Sequence, residues 1–205
     1  MPPTALRDAA SRFNLLQHSF YTRWTAGELS REELQAYAGE YHHVVAAMPR
    51  WLEDMAAGDP EHRATLRTHA REEAAHVSMW DDFAEALGCN REALASDQPN
   101  AATSALLAAG DELVAAGRGA EVLWALESQA PGVSEAKLEG LRAHYQMDGG
   151  PGTRYFEVHT TMDLRHTREL EALLAGDATA GPAAERVLGG LYELLTSVER
   201  EAVTA

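Results

Sequence analysis

Cysteine is nearly absent from this chain: Cys89 is alone among 205 residues, so no intrachain disulfide can close and the core must hold the fold. Basic groups are also scarce. Against 32 Asp and Glu there are 17 Lys and Arg, a formal charge of −15, which excludes general attraction to nucleic acid or an anionic membrane. Small molecules or protein partners remain. No apolar run approaches the roughly 20 residues that span a bilayer, and the opening "MPPTALRDAASRF" lacks the apolar core of a secretory signal. A cytoplasmic protein without membrane contact is expected. Strand-like alternation, internal repeats, low-complexity tracts and long linkers are missing as well.

What is present is helix punctuated by short turns. Apolar residues make up 45% of the chain, enough to fill one core, and one domain over residues 1–205 is expected. Ser30 with Glu33 forms a capping-box pattern ahead of Leu34, Tyr37, Tyr41 and Val44 or Val45 at helical spacing. Pro49 should kink or end that helix. The next helix takes Asp59 as N-cap and Pro60 as first helical residue, and stops at Gly88. Further helices are predicted over about 101–116, 120–130, 134–145, 153–175 and 183–202, with "CNREALASDQPNA" a loop or short helix. The fold class is therefore all-α, a bundle of seven or eight helices, in which sites are built from inward-facing side chains.

Three helices carry groups that bind metals. In "REEAAH", Glu73 and His76 are three apart and Glu72 and His76 four apart, neighbours on one face. In "EVLWALESQAP", Glu127 sits in a largely apolar helix, where a carboxylate is costly unless it is paired or bound to a cation. In "YFEVHTTMDLRH", His159, Asp163 and His166 fall on one stripe about 60° wide if the helix is continuous at about 100° per residue. Such a stripe alone could equally be an exposed polar patch. Three carboxylates and three neutral imidazoles would carry three unpaired negative charges in an apolar bundle. Two divalent cations would offset them, and mixed carboxylate and imidazole ligation suits iron or manganese better than structural zinc. Glu40 with His43, and His69 on the stripe of His76, rank below these. His18, His62 and His144 belong to the surface or to the surroundings of a site, and Cys89 reads as a half-buried thiol at a helix end.

The stretches "HSFYTRWTAGELSREELQAYAGEYHHVVAAMPRWL", "EEAAHVSMWDDFAEALG", "ALESQAPGVSEAKLEGLRAHY" and "YFEVHTTMDLRH" resemble, in that order, the haem-oxygenase-like di-iron oxidases. Within them the likeness is to the death-domain-associated branch of the folate pathway. The resemblance implies a haem-oxygenase-like bundle, often a homodimer, with two Fe ions (or Fe with Mn), O2 as co-substrate, an external reductant and a small amine-, amino-acid- or fatty-acid-like substrate. It carries the metal ligands onto Glu73, His76, Glu127, His159, Asp163 and His166. The first ligand helix is about one turn shorter than in that branch, which leaves Glu72 beside Glu73, and the Glu-x-x-His spacing of other members favours Glu73. His18, Phe20, Trp24 and Tyr41, with Tyr21, are candidate walls of a substrate cavity. The branch further implies synthesis of 4-aminobenzoate from the protein's own side chains, with Tyr21 cut up and Lys137 giving the nitrogen. Metal-free thiaminase-like or pyrroloquinoline-quinone-synthase-like enzymes, and a non-catalytic binding protein, are the other readings. The thiaminase-like one lacks its nucleophilic Cys, since "LESQ" stands at that place.

Overall fold

The computed structural model describes residues 3–204, with side chains as far as residue 200. Its helices are α1 (Thr4–Arg12), α2 (Ser19–Ala26), α3 (Arg31–Gly58), α4 (Arg63–Ala86), α5 (Arg91–Ser96), α6 (Ala101–Ala115), α7 (Gly119–Glu127), α8 (Ala130–His144), α9 (Pro151–His159), α10 (Met162–Leu173) and α11 (Pro182–Thr204), with no strand among the described residues. Two-residue breaks separate α7 from α8 and α9 from α10. With each broken pair taken as one rod and the six-residue α5 set aside, the bundle has eight helices, as the apolar spacing predicts.

Three boundaries depart from expectation. Helix α3 opens on the expected box, Ser30 Oγ accepting from the Glu33 N–H at 3.2 Å while Glu33 accepts from the Ser30 N–H at 2.8 Å, and does not end at Pro49 but continues to a length of 28 residues. Pro49 removes one helical donor, but Val44, Val45, Met48, Trp51 and Leu52 around it are buried, and their packing outweighs that local loss. At α4 the expected start at Pro60 is three residues early. Asp59 does cap, accepting from the His62 N–H at 3.0 Å and pairing with the His62 ring at 2.8 Å, but it caps a turn, and the helix begins at Arg63.

The third departure matters most for function. The single helix expected over 153–175 is two: α9 ends at His159, Thr161 adopts φ −126° and ψ −38°, and α10 begins at Met162. The β-branched pair Thr160 and Thr161 turns its hydroxyls back on the carbonyls of Glu157 (2.8 Å) and Val158 (3.4 Å), competing with the ladder. His159 therefore does not lie on one regular stripe with Asp163 and His166.

Helix α3 packs along α4, α9 leans on α4 and α8, and α11 crosses α6, α7 and α3. The core between them is aromatic, with Phe20, Trp24, Tyr37, Trp51, Trp80, Phe83 and Phe156 fully buried, each worth about 2–3 kcal/mol of transfer free energy. Helix α8 reaches α2 closely because Gly140 has no side chain: a Cβ there would meet Trp24 Nε1 at 2.6 Å. The indole instead donates to the Lys137 carbonyl at 3.2 Å, which fixes the turn that carries Lys137.

Candidate metal centre

Helix α4 presents His69, Glu73 and His76 at spacings of four and three, so all share its inner face. Glu127 ends α7, His159 ends α9, and Asp163 and His166 lie in the first turns of α10. None of the seven is more than 4% exposed. His69, Glu73, Glu127 and His166 form one set of donor atoms lying within 4.8 Å of one another, and Glu73, His76 and His159 form a second. Glu73 belongs to both. Its Oε1 is 3.2 Å from His76 Nδ1, 3.6 Å from His166 Nδ1 and 3.7 Å from His69 Nε2. Glu127 Oε1 is 2.9 Å from His69 Nε2, and Asp163 Oδ1 is 3.7 Å from His166 Nδ1.

These groups face one another without satisfying one another. Both oxygens of Glu73, Glu127 and Asp163, with His69 Nε2, His76 Nδ1 and His166 Nδ1, are buried and make no hydrogen bond. Each such orphan costs about 1–3 kcal/mol, more where charge is involved. Burial holds His69, His159 and His166 below the ordinary imidazole value, His159 at about 4, so the rings are neutral and present lone pairs. Burial, then Glu73 and Glu169, pushes Glu127 far up, and burial, then Glu127 and Glu73, pushes Asp163 up to about 10. Glu73, although burial opposes it, is held low by the facing His76 ring, with His159 and His69 behind it. Orphaned carboxylate oxygens among neutral imidazoles are the donor set that divalent iron or manganese takes.

Surrounding groups orient the rings. The His159 Nδ1–H donates to the Tyr155 carbonyl at 2.6 Å, which turns Nε2 away from the helix. The His166 Nε2–H donates to Glu72 at 2.9 Å, and Arg165 donates to the same oxygen at 2.7 Å, so Nδ1 faces inward. The adjacent glutamates thus part: Glu73 points into the centre, and Glu72 holds His166 from outside. His69, ranked low from sequence, stands inside the cluster, its ring tilted 30° against His166 with centroids 3.6 Å apart. Its place on the Glu73 stripe was the available signal. Glu40 is elsewhere, accepting from the Asn100 N–H at 3.1 Å, and His43 packs against His42.

Beside the centre lies a second buried polar group. Lys137 is 3% exposed with no acidic partner, and its Nζ donates to Tyr37 Oη at 2.5 Å. The amine stands 4.7 Å from the Tyr37 ring centre, 5.0 Å from Phe156 and 5.4 Å from both Tyr21 and Tyr41. Burial pulls it down to about 7. Tyr37 Oη also meets Tyr21 Oη at 3.4 Å, so one hydroxyl joins Lys137 to Tyr21. Sequence reading took Tyr37 for core alone. Tyr21, Tyr41, Lys137 and His159 line a cavity of about 30 Å³, room for a water or two. The other expected wall residues are not on it. Phe20 and Trp24 pack in the aromatic layer, and the His18 ring caps α2, accepting from the Phe20 N–H at 3.0 Å while Nε2 meets Thr196 at 3.1 Å.

The family model described as iron-containing redox enzyme matches residues 35–197. The 4-aminobenzoate synthase of Chlamydia trachomatis serovar D is 33% identical over 201 residues, 90% of this chain and 86% of that protein. The 4-aminobenzoate synthase of Nitrosomonas europaea is 30% identical over 179 residues, 78% of this chain and 73% of that one. Among solved structures, a domain with a heme oxygenase-like fold from Shewanella denitrificans aligns with TM-score 0.79 at 18% identity, covering 96% of this chain and 90% of the other. A TenA homologue from P. horikoshii aligns with TM-score 0.75 at 17% identity, covering 95% and 96%. At those identities the solved structures speak for the fold. Among the described residues no helix is long and apolar enough to cross a membrane.

Proposed function

From a chain that belongs to the family of iron-containing redox enzymes, we propose a 4-aminobenzoate synthase that consumes O2 and builds its product from its own Tyr21 and Lys137. The observation that carries this reading is the buried Lys137 amine beside Tyr21, in a cavity of about 30 Å³ that has no room for a free aromatic substrate. A tyrosine side chain already holds the ring and, at Cβ, the carbon of the carboxylate. The Lys137 nitrogen must replace the phenol oxygen, and Cβ must be oxidised to a carboxylate as its bond to Cα is cut, oxidation for which O2 and an external reductant are the co-reactants. Relatives at 33% and 30% identity bear the same activity in their names.

Glu73, His76, Glu127, His159, Asp163 and His166 would hold two metal ions, with His69 as a further donor on the Glu127 side. Iron held there would supply the redox chemistry needed to oxidise the phenol with O2. The chain's own part is placement and protonation. Lys137, pulled to about 7 by burial, carries a lone pair near neutrality, as a nitrogen donor must. Tyr37 accepts from Lys137 and holds Tyr21 in hydrogen-bonding range, so amine and phenol are ordered about one hydroxyl. Burial raises the Tyr21 phenol, which keeps its proton until the ring is oxidised. The aromatic wall excludes water that would compete with the amine.

Intact and peptide mass spectrometry after Fe(II), reductant and O2 tests the reading. The expected result is mass lost at Tyr21, with Lys137 altered in the same molecules and no more than one product released per chain. A chain left unmodified while turning over added substrate many times is instead an ordinary di-iron oxygenase of small molecules.

A further inference from the structure

The proposed centre has two faces, and they differ. Toward α2, α3 and α8 it meets the small cavity of Lys137 and Tyr21, walled by Tyr41 and Tyr155 and by leucines of α11. Toward solvent, between α4 and α10, a groove of about 210 Å³ runs in to His69 along Leu66, Leu170, Ala172 and Leu173, with Glu169 at its side. Leu66 and Leu170 are buried at its floor, Leu173 is half-buried, and Ala172 is exposed at its rim. The groove shares His62, Leu66 and Leu173 with a wider surface recess of about 600 Å³, so a passage from solvent narrows onto one candidate donor ring.

We propose that this groove is the dioxygen entry path, delivering O2 to the His69 face of the centre while the side chains to be oxidised wait on the His159 face. The inference rests on the O2-consuming reading above. Its occupant follows from the lining: leucine and alanine side chains offer a path of hydrocarbon, and such surfaces stay poorly hydrated and take up small apolar gases such as xenon. A charged or strongly hydrated ligand would lose solvation along the leucines and find only Glu169 and the histidines in return. The cavity on the other face also has leucines in its wall, but at about 30 Å³ against about 210 Å³ it is too small to serve as a path. Entry and reaction on opposite faces also keep the incoming gas from crossing the Lys137 cage, where bulk water must not follow.

The test is made on the metal-free protein, so its outcome is independent of whether the chain makes 4-aminobenzoate. Methyl relaxation is measured under O2 pressure, the paramagnetic gas marking each methyl it visits. Leu66, Leu170 and Leu173 are expected to show enhancement several-fold above Leu34, Leu52 and Leu123, which are no more than 2% exposed and lie away from the groove. In Ala172→Trp, which places an indole across the rim at an exposed position, enhancement at Leu66 and Leu170 should fall to the level of those reference leucines. Thr65→Trp, also at the exposed rim, provides a second closure should the first disturb α10. Enhancement at Leu66 and Leu170 no greater than at Leu34 and Leu123, or enhancement unaltered in both tryptophan variants, overturns the proposal.

Discussion

Glu121 and Glu127 lie on the same short helix, six residues apart and both no more than 2% exposed, yet they meet opposite surroundings. Glu121 is paired with Arg118 and accepts from the Gly181 N–H at 2.5 Å. Glu127 has no arginine or lysine paired with it and no hydrogen bond, and its near neighbours are the imidazoles of His69 and His166 and other carboxylates. Burial of an acid is thus no sign of a metal site by itself. What separates a structural carboxylate from a candidate ligand is whether the protein supplies the compensating charge. Lys137 is the mirror case, a buried amine with no carboxylate, pulled down to about 7 by burial.

Adding metal should have the largest effect. Anaerobic Fe(II) or Mn(II) at about a thousand times its Kd should stabilise the wild type by about 4 kcal/mol, roughly ten degrees in Tm for a chain of this size. Glu127→Ala should abolish that gain while leaving the metal-free protein no less stable, because it removes an uncompensated buried acid. Differential scanning calorimetry with and without metal reads both effects.

Lys137→Met comes next. Since the amine titrates near 7 when folded and near 10.5 when unfolded, the unfolded chain binds the extra proton between those values. Wild-type stability should therefore rise with pH across that window by up to about 4 kcal/mol, levelling off below it. The methionine variant should lack that slope, as denaturant titrations at pH 7 and 10 would show, and should make no 4-aminobenzoate while still binding metal. Glu121→Ala should cost about 1–3 kcal/mol by leaving the buried Gly181 N–H unpaired, Arg118 keeping Asp177, with metal stoichiometry intact. The smallest effect is expected for Glu72→Gln, about tenfold weaker metal affinity by competition with a chelating dye, because it loosens His166 without removing a ligand.

Much of this was legible in the sequence. Apolar spacing with Gly and Pro punctuation was enough to show the all-helical bundle, and the spacing of Glu73 and His76 showed two groups of the α4 inner face. The break at Thr160–Thr161 was not legible, because no Gly or Pro marks it and hydroxyl back-bonding acts only once tertiary packing favours the bend. Nor was Pro49, whose cost is outweighed by contacts distant in sequence. His69 lay on the right stripe, but spacing cannot say which of several inward groups converges with those of other helices. The choice between Glu72 and Glu73 turned on Arg165, whose reach across to α4 is a tertiary fact. The pairing of Lys137 with Tyr37 joins residues a hundred positions apart through a contact that Gly140 makes possible.

The central claim, that the chain is its own substrate, is tested most directly by isotope transfer. Protein carrying labelled tyrosine rings and labelled lysine ε-nitrogen is treated with Fe(II), reductant and O2 in the presence of unlabelled free tyrosine and lysine. The released 4-aminobenzoate should carry both labels in full, and Tyr21→Phe should release none. Product formed without either label, or in undiminished amount from Tyr21→Phe, would contradict the account.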